Sequence, residues 1–401
     1  MRILVQKFGG TSLSTVEARN HVIRHIKQAI DRQYKLVVVV SAMGRKGEPY
    51  ATDTLLDWVE RNGNRLPDRE KDMLLYCGEM ISAVTLCSLL QAESIPASVL
   101  NGAQAGIITN DHWGNARIQS VQPARIYDLL DKGQVVIVTG FQGRTDSWDF
   151  TTLGRGGSDT TATALGAALK AEIVDIFTDV NGILTADPKL VHDARPLERV
   201  TFTEICNMAY NGAKVIHPRA VELAMQANIP IRVRSTFDTG EGTLVTSAEA
   251  GSPVTDRFVT GIAHVSGVTQ IQVDQTEGEY DLQLKVFKAM AHERISVDFI
   301  NVNPSGMVYT VADSERERAE AAIRSLGCTA RTVPGCAKVS VIGGGINGVP
   351  GIMARIVEAL TGEGISILQS ADSNTTIWVL VEGKNLVQAV QVLHKQFQLH
   401  V

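Results

Sequence analysis

Runs of valine and isoleucine recur through the first 237 residues, each separated from the next by a stretch with helical spacing. The runs lie at 3–5, 36–40, 135–138, 173–177 and 231–233, and the helical stretches include 16–29, 68–90 and 161–170. Continuous β-branched runs, unlike alternating ones, mark strands buried on both faces, and a parallel sheet covered by helices is the usual way to bury them. An α/β fold with a mostly parallel sheet is therefore expected over 1–237. In such sheets ligands sit at the carboxyl ends of the strands, so the loops after strands are where chemistry is to be sought.

Composition narrows the function. The chain is 44% apolar and 20% charged over 401 residues, which is enough for a core and for two or three domains. Net charge is −5 with no long basic run, which argues against a nucleic-acid partner. The five cysteines are scattered without C-x-x-C spacing, so neither a disulfide framework nor a zinc site is expected, and a reducing cytoplasm fits. The apolar stretch in MRILVQKFGG is too short for a signal peptide, and the most continuous apolar run, 36–40, is far below a membrane span.

Residues 238–257 are rich in Gly, Ser, Thr and acids and read as a linker with at most one short strand. Beyond it a repeat appears. Lys285 aligns with Arg355, Ala289 with Ala359, Ile295 with Ile365, Ser296 with Ser366 and Val311 with Val381, without a gap. Each copy reads strand, helix, strand, strand, helix, the split βαβ pattern, over 258–334 and 335–401. A closing strand at 329–333 follows the first copy. The second copy has none, and a spare strand at 258–265 is expected to complete it by crossing over. Gly343, Gly345 and Gly348 form a G-x-G-x-x-G, with Asp372 beyond it, but only 53 residues follow Gly348. That is too few for a dinucleotide-binding sheet, so a tight turn or a small-ligand loop is the better reading.

The chemistry concentrates in loops of the first domain. VQKFGGTS runs from a strand into Gly9 and Gly10, where backbone N–H groups can approach an anion, with Lys7 beside them. A plain strand-to-helix turn with a surface lysine explains the same string. Glu79 in CGEMIS opens an apolar helical run, and a lone acid there is also what a helix N-terminus favours. LGRGGSD, 153–159, sets Arg155 among three glycines. Arg155 can clamp a carboxylate, Ser158 can cap the following helix or touch a ligand, and Asp159 falls in the first helical turn. So many glycines around an arginine are costly unless backbone must come close to something. FTDVNGILTADPK, with Asp179, Asp187 and Lys189, and NGAKVIHP, with Lys214, read as turns of functional interest.

Taken in order, KFGGTS, VVVVSAMG, the GE of CGEMIS, TTLGRGGSDTTA, FTDVNGILTADP and GAKVIHP resemble the aspartate kinases of the amino-acid kinase superfamily. The tail resembles that family's paired ACT domains, and the overall likeness is to the diaminopimelate-sensitive members of bacilli. The resemblance implies a three-layer, carbamate-kinase-like domain followed by two ferredoxin-like βαββαβ ACT units, and transfer of the ATP γ-phosphoryl group to the β-carboxylate of L-aspartate. By motif position it implies Lys7 and Asp159 in catalysis, and Ser41, Thr52, Glu79, Phe141, Arg155 and Ser158 around aspartate. Lys7, Gly9, Gly10, Thr178, Asp179, Leu184, Asp187, Lys189 and Lys214 would carry ATP, with Mg²⁺ held mainly through the phosphates. Ser296, Val297 and Asp298 match an effector-contact stretch, and a cytoplasmic homodimer inhibited by meso-diaminopimelate is implied. The chain departs from the family at Leu184, where some members carry an aromatic, and at 276–280, which lacks the Pro-Gly kept at Pro350 and Gly351.

Overall fold

The computed structural model describes residues 1–61, 66–213, 215–247, 258–274 and 281–401. They form two compact units, one of Met1–Ile183, Pro196–Ala209 and Lys214–Pro253, the other of Leu184–Arg195, Tyr210–Ala213 and Val254–Val401.

The strands of the first unit, in chain order, are β1 (Ile3–Phe8), β2 (Lys35–Val40), β3 (Ala97–Leu100), β4 (Ile107–Thr109), β5 (Ile118–Val121), β6 (Val135–Thr139), β7 (Gln142–Arg144), β8 (Phe150–Thr152), β9 (Ile173–Thr178), β10 (Arg199–Thr201), β11 (Ile231–Ser235) and β12 (Thr243–Thr246). One sheet has the order β10-β12-β11-β9-β1-β2-β6-β3, and from β11 to β3 every neighbouring pair is parallel. The valine and isoleucine runs supply β1, β2, β6, β9 and β11, and Val37 to Val40 are fully buried on both faces. Only β12, inside the stretch read as a linker, turns back antiparallel on β11. Its short neighbour β10, and a second sheet of order β5-β4-β7-β8, are too brief and too polar to announce themselves in the sequence.

Strand alternation decides which residues reach the chemistry. Leu4 and Phe8 of β1 point into a core with Val22 and Ile26 of helix Val16–Asp31 and Leu86 and Leu90 of helix Asp68–Ala92. Lys7 faces the other way, toward helix Gly157–Leu169, which packs on β1 and β9 and on helix Pro218–Ala227. By length and composition helix Asp68–Ala92 is apolar enough to cross a membrane, yet Asp72, Glu79 and Leu86 lie on its buried face in this unit.

In the second unit, β13 (Gly261–Asp274), β14 (Asp298–Asn303), β15 (Gly306–Ala312), β16 (Ala330–Ile342), β17 (Gln369–Asp372) and β18 (Thr376–Glu382) form an antiparallel sheet of order β14-β15-β13-β16-β18-β17. The two long strands are each shared by both repeats. Residues 261–266 pair with 337–342, whose other edge meets β18, while 268–274 pair with β15 and with the beginning of β16. The break expected after 333 is therefore a bulge rather than an end. Pro334 lacks an N–H, Gly335 has φ +65°, and the register slips between Val333 and Cys336 while the strand continues. Each repeat has its own core. One is built on Ile271, Val286, Tyr309 and Ile323, the other on Val339, Ile356, Val379 and Leu393. The G-x-G-x-x-G string joins β16 to helix Ile352–Gly362 in this antiparallel sheet, which is not a dinucleotide-binding βαβ unit. The 276–280 departure and residues 248–257 of the linker lie outside the described residues.

Candidate active site

A cleft of about 720 Å³ opens in the first unit where β1 and β2 end, and Lys7, Gly10, Ser41, Thr52, Glu79, Phe141, Arg155, Ser158 and Asp159 all line it. Residues far apart in sequence converge because parallel strands deliver their following loops to one edge of the sheet.

Lys7 Nζ lies 2.7 Å from Asp159 Oδ1, with both side chains largely buried. Among the described residues the Lys7 ammonium is the one partner of Oδ1, while Oδ2 accepts from the His217 backbone N–H at 3.4 Å. Gly10 begins the short helix after β1 under tight constraint, since a Cβ there would lie 2.5 Å from the Ala42 carbonyl oxygen. The loop after β2 is thereby held against the loop after β1. Gly9, at the N-cap, stands close to Lys7 Nζ.

Glu79 is mid-helix in Asp68–Ala92, not at a helix start, so the helix-dipole explanation for an acid there fails. Its carboxylate accepts from Ala42 N–H at 3.1 Å and from Gln142 Nε2 at 3.3 Å, and only 2% of the residue is exposed. Burial raises its pKa to about 7, against the lowering effect of those hydrogen bonds.

The glycine-rich loop also differs from its sequence reading. Helix Gly157–Leu169 starts before residue 161, its N-cap is Gly156, and Ser158 sits inside the first turn without capping it. Gly156 is left-handed at φ +70°, and a Cβ there would lie 2.1 Å from the His217 ring. The protein's own packing thus demands that glycine without any ligand. Arg155 projects from this loop exposed, and among the described residues it makes no hydrogen bond or ion pair. Phe141 holds φ +70°, costly for an aromatic residue, with its N–H bonded to Thr161 Oγ1 at 3.0 Å.

The remaining expected residues are not gathered in this cleft. Thr178 ends β9, and Asp179 pairs with Arg45 at 2.9 Å. Leu184, Asp187 and Lys189 fall in the second unit, where Asp187 Oδ1 accepts from the Lys189 N–H. Lys214 lies outside the described residues. Ser296 and Val297 precede β14, and Asp298 opens it, already holding the ammonium of buried Lys338.

Three cleft-side residues escaped the sequence reading. Asp72, 1% exposed, accepts from the Gly114 and Thr152 N–H groups and from Thr152 Oγ1, fixing the small sheet to the helix. Its spacing two turns before Glu79 was the available signal. Gln142 bridges Glu79 and the Tyr76 carbonyl, and His217 caps helix Pro218–Ala227 by accepting from Arg219 N–H at 3.3 Å. A glutamine beside an aromatic gives no such hint.

The fold and cleft define a class, an amino-acid kinase catalytic unit followed by regulatory repeats. The amino acid kinase family model matches residues 2–235, and an ACT domain model matches 331–395. Aspartokinase 1 of Bacillus subtilis is 54% identical over 402 residues, covering all of both chains, and the aspartokinase of Geobacillus stearothermophilus is 39% identical over 405 residues, covering 100% of this chain and 98% of that one. Aspartokinase III of E. coli, solved with aspartate and ADP in an R-state, superposes with a TM-score of 0.79 at 26% identity over 98% of this chain and 99% of that chain. This chain belongs to the aspartokinases of the amino acid kinase family.

Proposed function

We propose that the cleft phosphorylates the β-carboxylate of L-aspartate from Mg-ATP, giving 4-phospho-L-aspartate, and that the ACT repeats adjust this activity to an amino-acid end product. The observation that carries the reading is the placement of Glu79, Arg155 and Lys7 around one cleft. Aspartate has one ammonium and two carboxylates, and this wall offers one acid and two cations. Arg155, with its donors unspent, takes the α-carboxylate through paired hydrogen bonds, and Glu79 takes the ammonium. Ser41, Thr52, Phe141 and Ser158 shape the remaining wall.

The transfer needs no general base. The β-carboxylate of aspartate is ionised at neutral pH, with a reference pKa of about 4. One of its oxygens attacks the γ-phosphorus, the bond to the bridging oxygen breaks, and ADP departs with the electron pair. No proton moves. What the protein must supply is alignment and positive charge. Lys7 supplies the charge, and Asp159 fixes its ammonium. Asp159 Oδ1, buried and met among the described residues by the Lys7 ammonium alone, and Lys7 itself are a hard-oxygen and cation set suited to Mg²⁺ and phosphate. Mg²⁺, held mainly through the phosphates, would neutralise their charge. Gly9 and Gly10 approach the phosphates, and Thr178 and Asp179, at the end of β9 in the same unit, take part in holding the rest of the nucleotide.

Trapping with hydroxylamine tests the reaction. The folded protein with Mg-ATP and aspartate should yield hydroxamate, and should yield far less with glutamate or N-acetylglutamate. Equal rates with N-acetylglutamate, which has no free ammonium, would overturn the role of Glu79.

For regulation, the stretch 296–298 is the effector contact in this reading and meso-diaminopimelate the effector, acting on a cytoplasmic homodimer. Asp298 already binds one ammonium, that of Lys338, so it suits an effector with a distal amino group. Titrating activity with diaminopimelate, lysine and threonine, singly and paired, distinguishes the effectors. Inhibition only by lysine with threonine would overturn diaminopimelate. Asp298→Asn should blunt inhibition while leaving uninhibited turnover unchanged.

A further inference from the structure

The catalytic unit contains a second cavity, of about 400 Å³, on the opposite face of β1 from Lys7, beneath helix Val16–Asp31. The proposed reaction gives it no task, yet its wall is built of buried charge. Asp175 on β9 is 1% exposed and receives a two-pronged contact from Arg232, Nε to Oδ1 at 2.9 Å and Nη2 to Oδ2 at 3.0 Å. Arg234, whose side chain is 7% exposed, reaches the same carboxylate only at 3.6 Å, beyond hydrogen-bonding distance. Among the described residues it donates a single hydrogen bond, from Nε to the Gly240 carbonyl at 3.2 Å. One buried and one partly buried guanidinium thus share one buried carboxylate, and the other acid beside them among the described residues, Glu241, is mostly exposed, pairs with Arg232 and reaches Arg234 only through its charge. Burying a cation whose hydrogen bonds are not filled is costly, so the unspent Arg234 donors facing a cavity call for an explanation. Arg32, at the rim, has no acidic partner among the described residues and adds a further positive charge.

The neutral groups of the wall are also incomplete. Gln6 and His25 are 2% and 3% exposed, yet among the described residues Gln6 Oε1 and His25 Nδ1 have no hydrogen-bond partner. His25 Nε2 lies 2.9 Å from the Thr236 carbonyl oxygen, which can only accept, so Nε2 carries the proton. Burial holds the ring below the usual histidine range, leaving Nδ1 an acceptor. The cavity therefore combines spare cationic donors with two spare acceptors.

From this inventory we infer that the cavity is a second ligand site, for a small anion that bears a carboxylate or phosphate group together with a hydrogen-bond donor of its own. The anionic group meets Arg234 and Arg32, and the donor meets Gln6 or His25. A hydroxy acid and a protonated phosphate both satisfy it. The volume suits a metabolite of that size.

Calorimetric titration of the full chain with inorganic phosphate, L-malate and succinate tests the site. Phosphate or malate should bind with one-to-one stoichiometry, and succinate, which lacks the hydroxyl of malate, should bind more weakly. Arg32→Ala and Gln6→Leu should each weaken binding by about tenfold, the scale of one charge-assisted or buried hydrogen bond. Arg234→Met should weaken it further. Arg155→Ala, in the catalytic cleft, should leave it unchanged. If Arg234→Met does not fold, the exposed Arg32 variant still decides the matter. Binding by phosphate alone or malate alone identifies the anionic group. Absence of binding by both, or binding that Arg155→Ala removes and Arg32→Ala leaves intact, overturns the proposal.

Discussion

Glu79 shows most directly how one residue's environment sets function. Its pKa of about 7 belongs to the cleft without substrate, where burial disfavours the charged form. Binding an ammonium requires the carboxylate, so kcat/KM for aspartate should rise with pH through about 7 and level off above it. Glu79→Gln should lower kcat/KM and remove that rise; a rise that persists in the variant would assign it to another group. The same shift has a stability consequence. Because the folded-state pKa lies above the ordinary carboxylate value, its contribution is complete below that value and is lost as pH climbs toward 7. The ligand-free wild type should therefore lose denaturation midpoint, relative to Glu79→Gln, across that window. Arg155→Ala acts differently. With no hydrogen-bond or ion-pair partner to lose among the described residues, it should leave the melting temperature nearly unchanged and raise KM for aspartate by about a hundredfold, as expected for a lost bidentate charged contact. An unaltered KM would remove Arg155 from the substrate site.

At the scale of elements, the central parallel strands were legible because residues buried on both faces must be apolar throughout, as Val37 to Val40 are. The small sheet β5-β4-β7-β8 was not, because three- and four-residue strands such as Gln142–Arg144 and Ile118–Val121 carry too few residues for a period to register. The loop 153–157 was legible as a candidate site, but the reason for its glycine at 156 was misread. Glycine is needed at 156 by its left-handed backbone and by the His217 ring, and no single-sequence pattern reveals a contact with a residue so distant. That contact makes a prediction. Gly156→Ala should cost about 1–3 kcal/mol in urea unfolding, from backbone strain alone, and more if the ring cannot yield. It should also depress kcat, since Arg155, Ser158 and Asp159 are carried on the same turn. A variant with unchanged stability and activity would show that the loop relaxes freely. Asp72 and Gln142 were hidden for a similar reason, their partners being backbone groups and side chains that only the folded chain brings near.

At the scale of the whole molecule, the alignment that placed Val311 opposite Val381 found two positions that are each buried in the core of their own repeat. It did not reveal that β16 runs unbroken past Pro334, because a proline ordinarily ends a central strand and only the bulge at Gly335 lets this one continue. Sharing β13 and β16 makes the regulatory sheet one cooperative body. Hydrogen exchange should show the amides of 261–266 and 337–342 opening together with those of 268–274, within a small factor in protection, whereas separable repeats would give two distinct exchange classes. Heredity meets the same constraint. A tandem copy can ordinarily be trimmed away or duplicated again as a cassette, but here the second copy takes one of its strands, 261–266, from the segment of the first. Whatever duplication produced the repeat, the pair must since have been inherited, and can only be lost, as a single part.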